Sequence, residues 1–106
     1  MNILDIRNIE NDSRLLIETT NAVYDIKVVD NKGGIIEISG GHKIEKTTTA
    51  ALIGACWKSK RYLYEIRKNM TMELFYNDDK LITARVLNVV VHGPDDNWHY
   101  DMEWNK

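Results

Sequence analysis

Residues 22–29, AVYDIKVV, alternate in character. Ala22, Tyr24, Ile26 and Val28 fall on one face, and Asp25 and Lys27 on the other. A period of two marks a half-buried β-strand, because successive side chains of an extended backbone point to opposite sides. The same period recurs through much of the chain. Leu15 and Ile17 alternate with Leu16 and Glu18, and Thr20-Asn21 offers a tight connection, so residues 14–29 read as a hairpin. DNKGG, residues 30–34, is a turn: glycine accepts positive φ, and Asp and Asn bond locally to the backbone. IIEIS follows as a strand with Ile36 and Ile38 on one face, and Gly40-Gly41 ends it.

The last third has the same character. MTMELFY, a turn NDDK, and LITARVLNVVV form a second hairpin. In its second strand Leu81, Thr83, Arg85, Leu87, Val89 and Val91 face one side, with Ile82, Ala84, Val86, Asn88 and Val90 on the other. Gly93-Pro94 stops that strand. Residues 47–57 admit two readings. As a strand, both faces are apolar or small, which implies cover by another subunit. As a helix, Leu52, Cys56, Ser59, Leu63 and Ile66 form a stripe behind a threonine cap. Gly54 and the β-branched entry favour the strand. The expected fold is all-β, a small SH3-like barrel or a strongly bent antiparallel sheet of five to six strands. The alternative is α+β with one helix near 48–67.

At 106 residues with 43% hydrophobic content, the chain suits one domain with a modest core. Residues 1–93 read as that domain, and the polar, aromatic 94–106 as an acidic arm. The start, MNILDIRNIE, lacks the basic and apolar regions of a signal peptide, and the apolar runs are too short to span a bilayer. A single cysteine, Cys56, cannot form an internal disulfide, which fits a reducing cytoplasm.

Several of these segments resemble those of a family of small, uncharacterised phage and bacterial proteins. They are IETTNAVYDI (Ile17 to Ile26), a glycine pair, TAALIGA (Thr49 to Ala55), NMTMEL (Asn69 to Leu74) and LITARVLNVVV. The family opens with a threonine–serine–glycine hairpin and closes with a strand of alternating valines. The resemblance covers residues 14–91 and implies a β-barrel and a phage or bacterial origin, with no activity attached. Asn21, Ala84 and the acidic aromatic tail depart from the family's pattern.

The net charge of −2 is unevenly spread. Residues 42–68 hold seven lysines and arginines against two glutamates, a balance of +5, which leaves −7 for the remainder. A broadly basic surface for duplex DNA is therefore absent, and no membrane partner is implied. Within the basic stretch, Lys58, Lys60 and Arg61 are interleaved with Trp57, Tyr62 and neighbouring Tyr64. Cations supply charge for phosphate, and aromatic rings supply a face for a base. Lys43, Arg67 and Arg85 are the further candidates for this ligand-binding patch.

Other chemistry is less well supported. Cys56 with His42 or His92 is a candidate thiol–imidazole combination, but a cysteine in a small-residue strand reads as core. His92, Asp95, Asp96, His99 and Asp101 lie close in sequence, but their spacing matches no defined metal site and a solvated arm is the simpler reading. GGHK lacks the spacing of a phosphate loop. The expectation is a non-enzymatic homo-oligomer without a cofactor. It would sequester a small anionic ligand, a nucleotide or a cyclic nucleotide immune signal, as a phage anti-defence protein would. One alternative is a protein-interaction or inhibitor module docking on a host protein through Trp98, Tyr100 and Trp104. Another is single-stranded nucleic-acid binding through the same basic patch.

Overall fold

Extended backbone dominates the computed structural model, which describes residues 3–41, 44–94 and 99–102. A short β1 (Ile3–Asp5) leads through one 3-10 turn to β2 (Arg14–Thr19), β3 (Val23–Asp30), β4 (Ile35–Gly40) and the long β5 (Ile44–Trp57). Then come β6 (Lys60–Leu63), β7 (Glu65–Arg67), β8 (Thr71–Tyr76), β9 (Asp79–Ile82), β10 (Val86–His92) and β11 (His99–Met102). Among the described residues no helix is long and apolar enough to cross a membrane.

The main sheet is antiparallel, in the order β11-β10-β2-β3-β4-β5-β8-β9, with β6 pairing β5 where β4 has ended. β1 and β7 form a separate two-stranded sheet. The all-β expectation holds, but the sheet is not a closed barrel and has more than the five to six strands expected. β9 and β11 end that order, and β6 has β5 as its one partner among the described residues. Residues 47–57 belong wholly to a strand, so the helical alternative for 48–67 is not adopted. Residues 99–102 pair antiparallel with β10, placing Tyr100 opposite Val91, so this part of the expected arm extends the sheet.

Alternation explains the core. Leu15 and Ile17 of β2, Tyr24, Ile26 and Val28 of β3, and Ile36 and Ile38 of β4 are all buried, as their period predicts. They meet Leu52 of β5, Met72 and Leu74 of β8, and Val86, Val89 and Val91 of β10 in one cluster. Full burial of each large aliphatic contributes roughly 1.5–3 kcal/mol.

The single strand expected over Leu81–Val91 is instead two. The turn is tighter than NDDK. Asn77 and Asp78 alone carry positive φ, at 51° and 61°, so Asp79 and Lys80 already belong to β9. The chain then leaves the ladder at residues 83–85 and crosses to pair with β2. The Thr83 hydroxyl marks this break. It accepts the Met72 N–H at 3.0 Å, where a backbone carbonyl would continue the ladder, and donates to the Ala84 carbonyl at 2.7 Å. An irregularity between Val86 and Asn88 then shifts the inward phase, which is why Val86, and not Leu87, is fully buried. Backbone bonds hold the crossover against the far side of the fold: Val86 N–H donates to Met70 C=O at 2.9 Å, and Asn69 N–H to Val86 C=O at 2.8 Å.

β5 bends at Gly54, where φ is +153°. A Cβ there would stand 2.1 Å from the Tyr62 carbonyl oxygen and 2.9 Å from Leu63 Cα. Backbone strain and overpacking each cost about 1–3 kcal/mol. Gly54→Ala is therefore expected to lower stability by at least about 2 kcal/mol, read as a fall in the urea midpoint at unchanged slope.

Tyr24 gives a pH signature. It is 7% exposed, and its burial, followed by the nearby Tyr76, pushes its phenol above the ordinary value. A group whose folded pKa is raised stabilises fully below its unfolded value, about 10 for tyrosine, and loses that stability as pH rises further. Unfolding free energy should fall above pH ~10, and Tyr24→Phe should flatten that fall, in urea titrations across the alkaline range.

Candidate functional site

The bend at Gly54 carries the end of β5 past β4, where it pairs with β6 alone on that side. Opposed pairs run Gly54–Leu63, Ala55–Tyr62, Cys56–Arg61 and Trp57–Lys60. Directly opposed residues share a face, and adjacent ones alternate. Trp57, Lys60 and Tyr62 therefore lie together on the core side of this hairpin, beyond the end of the core. Arg61 lies on the reverse side with Cys56.

The first face gathers cations onto rings. The Arg67 guanidinium is centred 3.5 Å from the Tyr62 ring, and the Arg85 guanidinium 5.3 Å from the Trp57 ring. Arg67 is also held by Glu65, with Nε donating at 2.7 Å. Arg85 is placed by its backbone, whose carbonyl accepts from Thr20 N–H at 3.1 Å. Lys58 sits at the hairpin tip with φ +58°, and Lys58 and Lys60 are exposed. Trp57 keeps 38% of its surface exposed. Four cations against the single Glu65 give this face a local formal balance of +3.

Arg61 does not join it. Its Nη2 donates to Glu73 Oε1 at 3.2 Å, and its Nε makes an ionic contact with Oε2 at 2.9 Å. Lys80 Nζ reaches the same carboxylate at 3.1 Å. Glu73 is opposite Gly54 on β8. Glu73 is only 3% exposed. Its importance was hidden in MTMELFY, because a glutamate on the polar phase of a strand looks solvated until its two partners arrive from other strands.

Tyr64 stands apart as well. At φ +63° it separates β6 from β7, and its ring takes the Arg7 guanidinium at 5.0 Å. Lys43, His42, Trp98 and Trp104 lie outside the described residues, and Tyr100 is placed by its backbone only. Cys56 is half-buried in β5, and His92 ends β10 opposite Arg14, on strands that are not neighbours. Among the described residues no group of three His, Cys, Asp or Glu is arranged to hold a metal ion.

One surface was not legible at all. A cavity of about 400 Å³ lies against Arg14, Asp25, Lys27, Glu37, Ser39 and Thr47, contributed by four strands. Its charges are largely satisfied within it: Arg14 pairs with Asp25, and Lys27 approaches Asp12 at 3.8 Å.

Comparison with family models, with curated proteins and with solved structures returns no match. The geometry therefore carries the functional reading.

The ion network predicts non-additivity. Either cation alone still compensates Glu73, whereas losing both leaves a buried carboxylate unpaired, which costs about 3–5 kcal/mol. Arg61→Ala and Lys80→Ala should each cost about 1 kcal/mol or less, since both side chains are 52% exposed. The double variant should cost clearly more than their sum in a urea double-mutant cycle.

Proposed function

We propose that this chain is a non-enzymatic binding module that holds an anionic, nucleotide-like ligand on the Trp57–Tyr62 face. The observation that carries the reading is the pair of ring–guanidinium contacts, Trp57–Arg85 and Tyr62–Arg67, on one face of the hairpin. A guanidinium against one side of a ring leaves the other for a base, and stacking with cation–π support tolerates any base. Lys58 and Lys60 supply charge for phosphate beside the rings. The residues that meet there require neither a nucleophile nor a base.

In this reading the chain also self-associates. The surface for a second copy is the reverse side of the hairpin, where Leu63, Phe75 and Ile82 are exposed. Leu63 and Ile82 lie in one cross-strand row with Gly54 and Glu73, and Phe75 follows two residues along β8. Ligand and partner then use opposite faces of the same strands.

Native mass spectrometry with a panel of mono-, di- and cyclic nucleotides tests both parts. Discrete nucleotide masses on a symmetric oligomer are expected, and Trp57→Ala combined with Arg85→Ala should weaken uptake at least tenfold while leaving the oligomer intact. No uptake from the whole panel would overturn the ligand reading, and a monomer at every concentration would overturn self-association.

A further inference from the structure

We infer that the ligand of this face is a single-stranded oligonucleotide engaged over at least two successive nucleotides. This rests on the nucleotide-binding reading above and narrows it. Trp57 and Tyr62 are diagonal neighbours across the β5–β6 ladder: Trp57 opposes Lys60, and Tyr62 follows two residues later on the same face. Diagonal positions of an antiparallel pair stand roughly 7–8 Å apart at the backbone, within reach of long side chains. A mononucleotide has one base and can occupy one ring. Two rings side by side, each backed by its own guanidinium, match two bases in sequence.

The phosphate that joins two bases has a counterpart too. Lys60 neighbours both aromatic residues on this face, directly opposite Trp57 and two residues before Tyr62. Lys58 at the tip flanks Trp57 for the next phosphate along. Neither lysine forms an ion pair among the described residues, whereas Arg61, a neighbour in sequence, is committed to Glu73. Part of the acidic charge elsewhere is already neutralised. Glu73 is covered by Arg61 and Lys80 on the reverse side, and Asp12 and Asp25 are paired in the cavity of β2 and β3. Stacking on paired rings needs unpaired, splayed bases, so a duplex cannot use it.

The test is competition fluorescence anisotropy with labelled hexathymidylate and hexauridylate, unlabelled TMP and UMP, and a blunt-ended hairpin duplex. At least one hexamer should bind tenfold or more tightly than its mononucleotide and than the duplex. Counterion release from a single strand gives a slope of about −0.7 per phosphate neutralised, so Lys58 and Lys60 together predict a log–log salt slope near −1.4. Tyr62→Ala should weaken the hexamer at least fivefold and the mononucleotide less than twofold, with Tyr62→Phe retaining hexamer affinity. Lys60→Glu, at an exposed position, should weaken the hexamer without loss of folding. Equal affinity for hexamer and mononucleotide, or for hexamer and duplex, would overturn this inference and leave the nucleotide reading standing. Binding of none of them would overturn both.

Discussion

The hydrogen-bonded length of β5 is the constraint on which the other elements depend. Its fourteen residues pair with β4 first, then with β6 on the same side, and with β8 on the other. A twisted strand of this length cannot keep one face on a small core without a change of direction. Gly54 makes the change, with a φ that other residues rarely adopt and backbone so close that a Cβ has no room. Before it, Ala50 and Leu52 face inward; after it, Ala55 does, across an irregular step in the pairing with β8. The same bend projects Trp57 and β6 past the core and creates the candidate site.

Charge is divided by that geometry. KSKR reads as one basic cluster, yet alternation sends Lys60 and Arg61 to opposite faces. On one side cations sit against rings, where the guanidinium remains in contact with water. On the other, Arg61 and Lys80 cover a carboxylate that is almost wholly buried. A buried carboxylate requires such partners, because the desolvation of an unpaired charge exceeds what the rest of a small core offsets. One stretch of sequence thus serves both stability and the candidate ligand face.

The hairpin of residues 14–29, the turn at 30–34 and the strand after it were legible because their pattern is local: a period of two, broken where Gly, Asn and Asp accumulate. The segment from Leu81 to Val91 keeps a similar alternation but is two strands, with a side-chain hydroxyl at the break. Thr83 substitutes its side chain for a ladder carbonyl, an exchange that depends on Met72 being opposite it. Closure was left open, between a barrel and a bent sheet, for a related reason. Whether β10 continues from β9 or crosses to β2 is decided by partners far apart in the chain. Within the candidate site, Trp57, Lys58, Lys60, Tyr62, Arg67 and Arg85 could be named from the sequence, while Glu73 and the cavity on β2–β5 could not.

The sequence by itself determined β2, β3 and β4 and which of their residues face the core, since alternation and turn chemistry act over a few residues. It also determined the charge imbalance and the mixing of aromatic with basic residues around Trp57. Tertiary structure alone decided the order of the strands, the removal of Arg61 from the basic face, and the seating of Arg85 on Trp57. Those outcomes depend on ladder register, and a shift of one residue would turn every side chain in a strand to the other face.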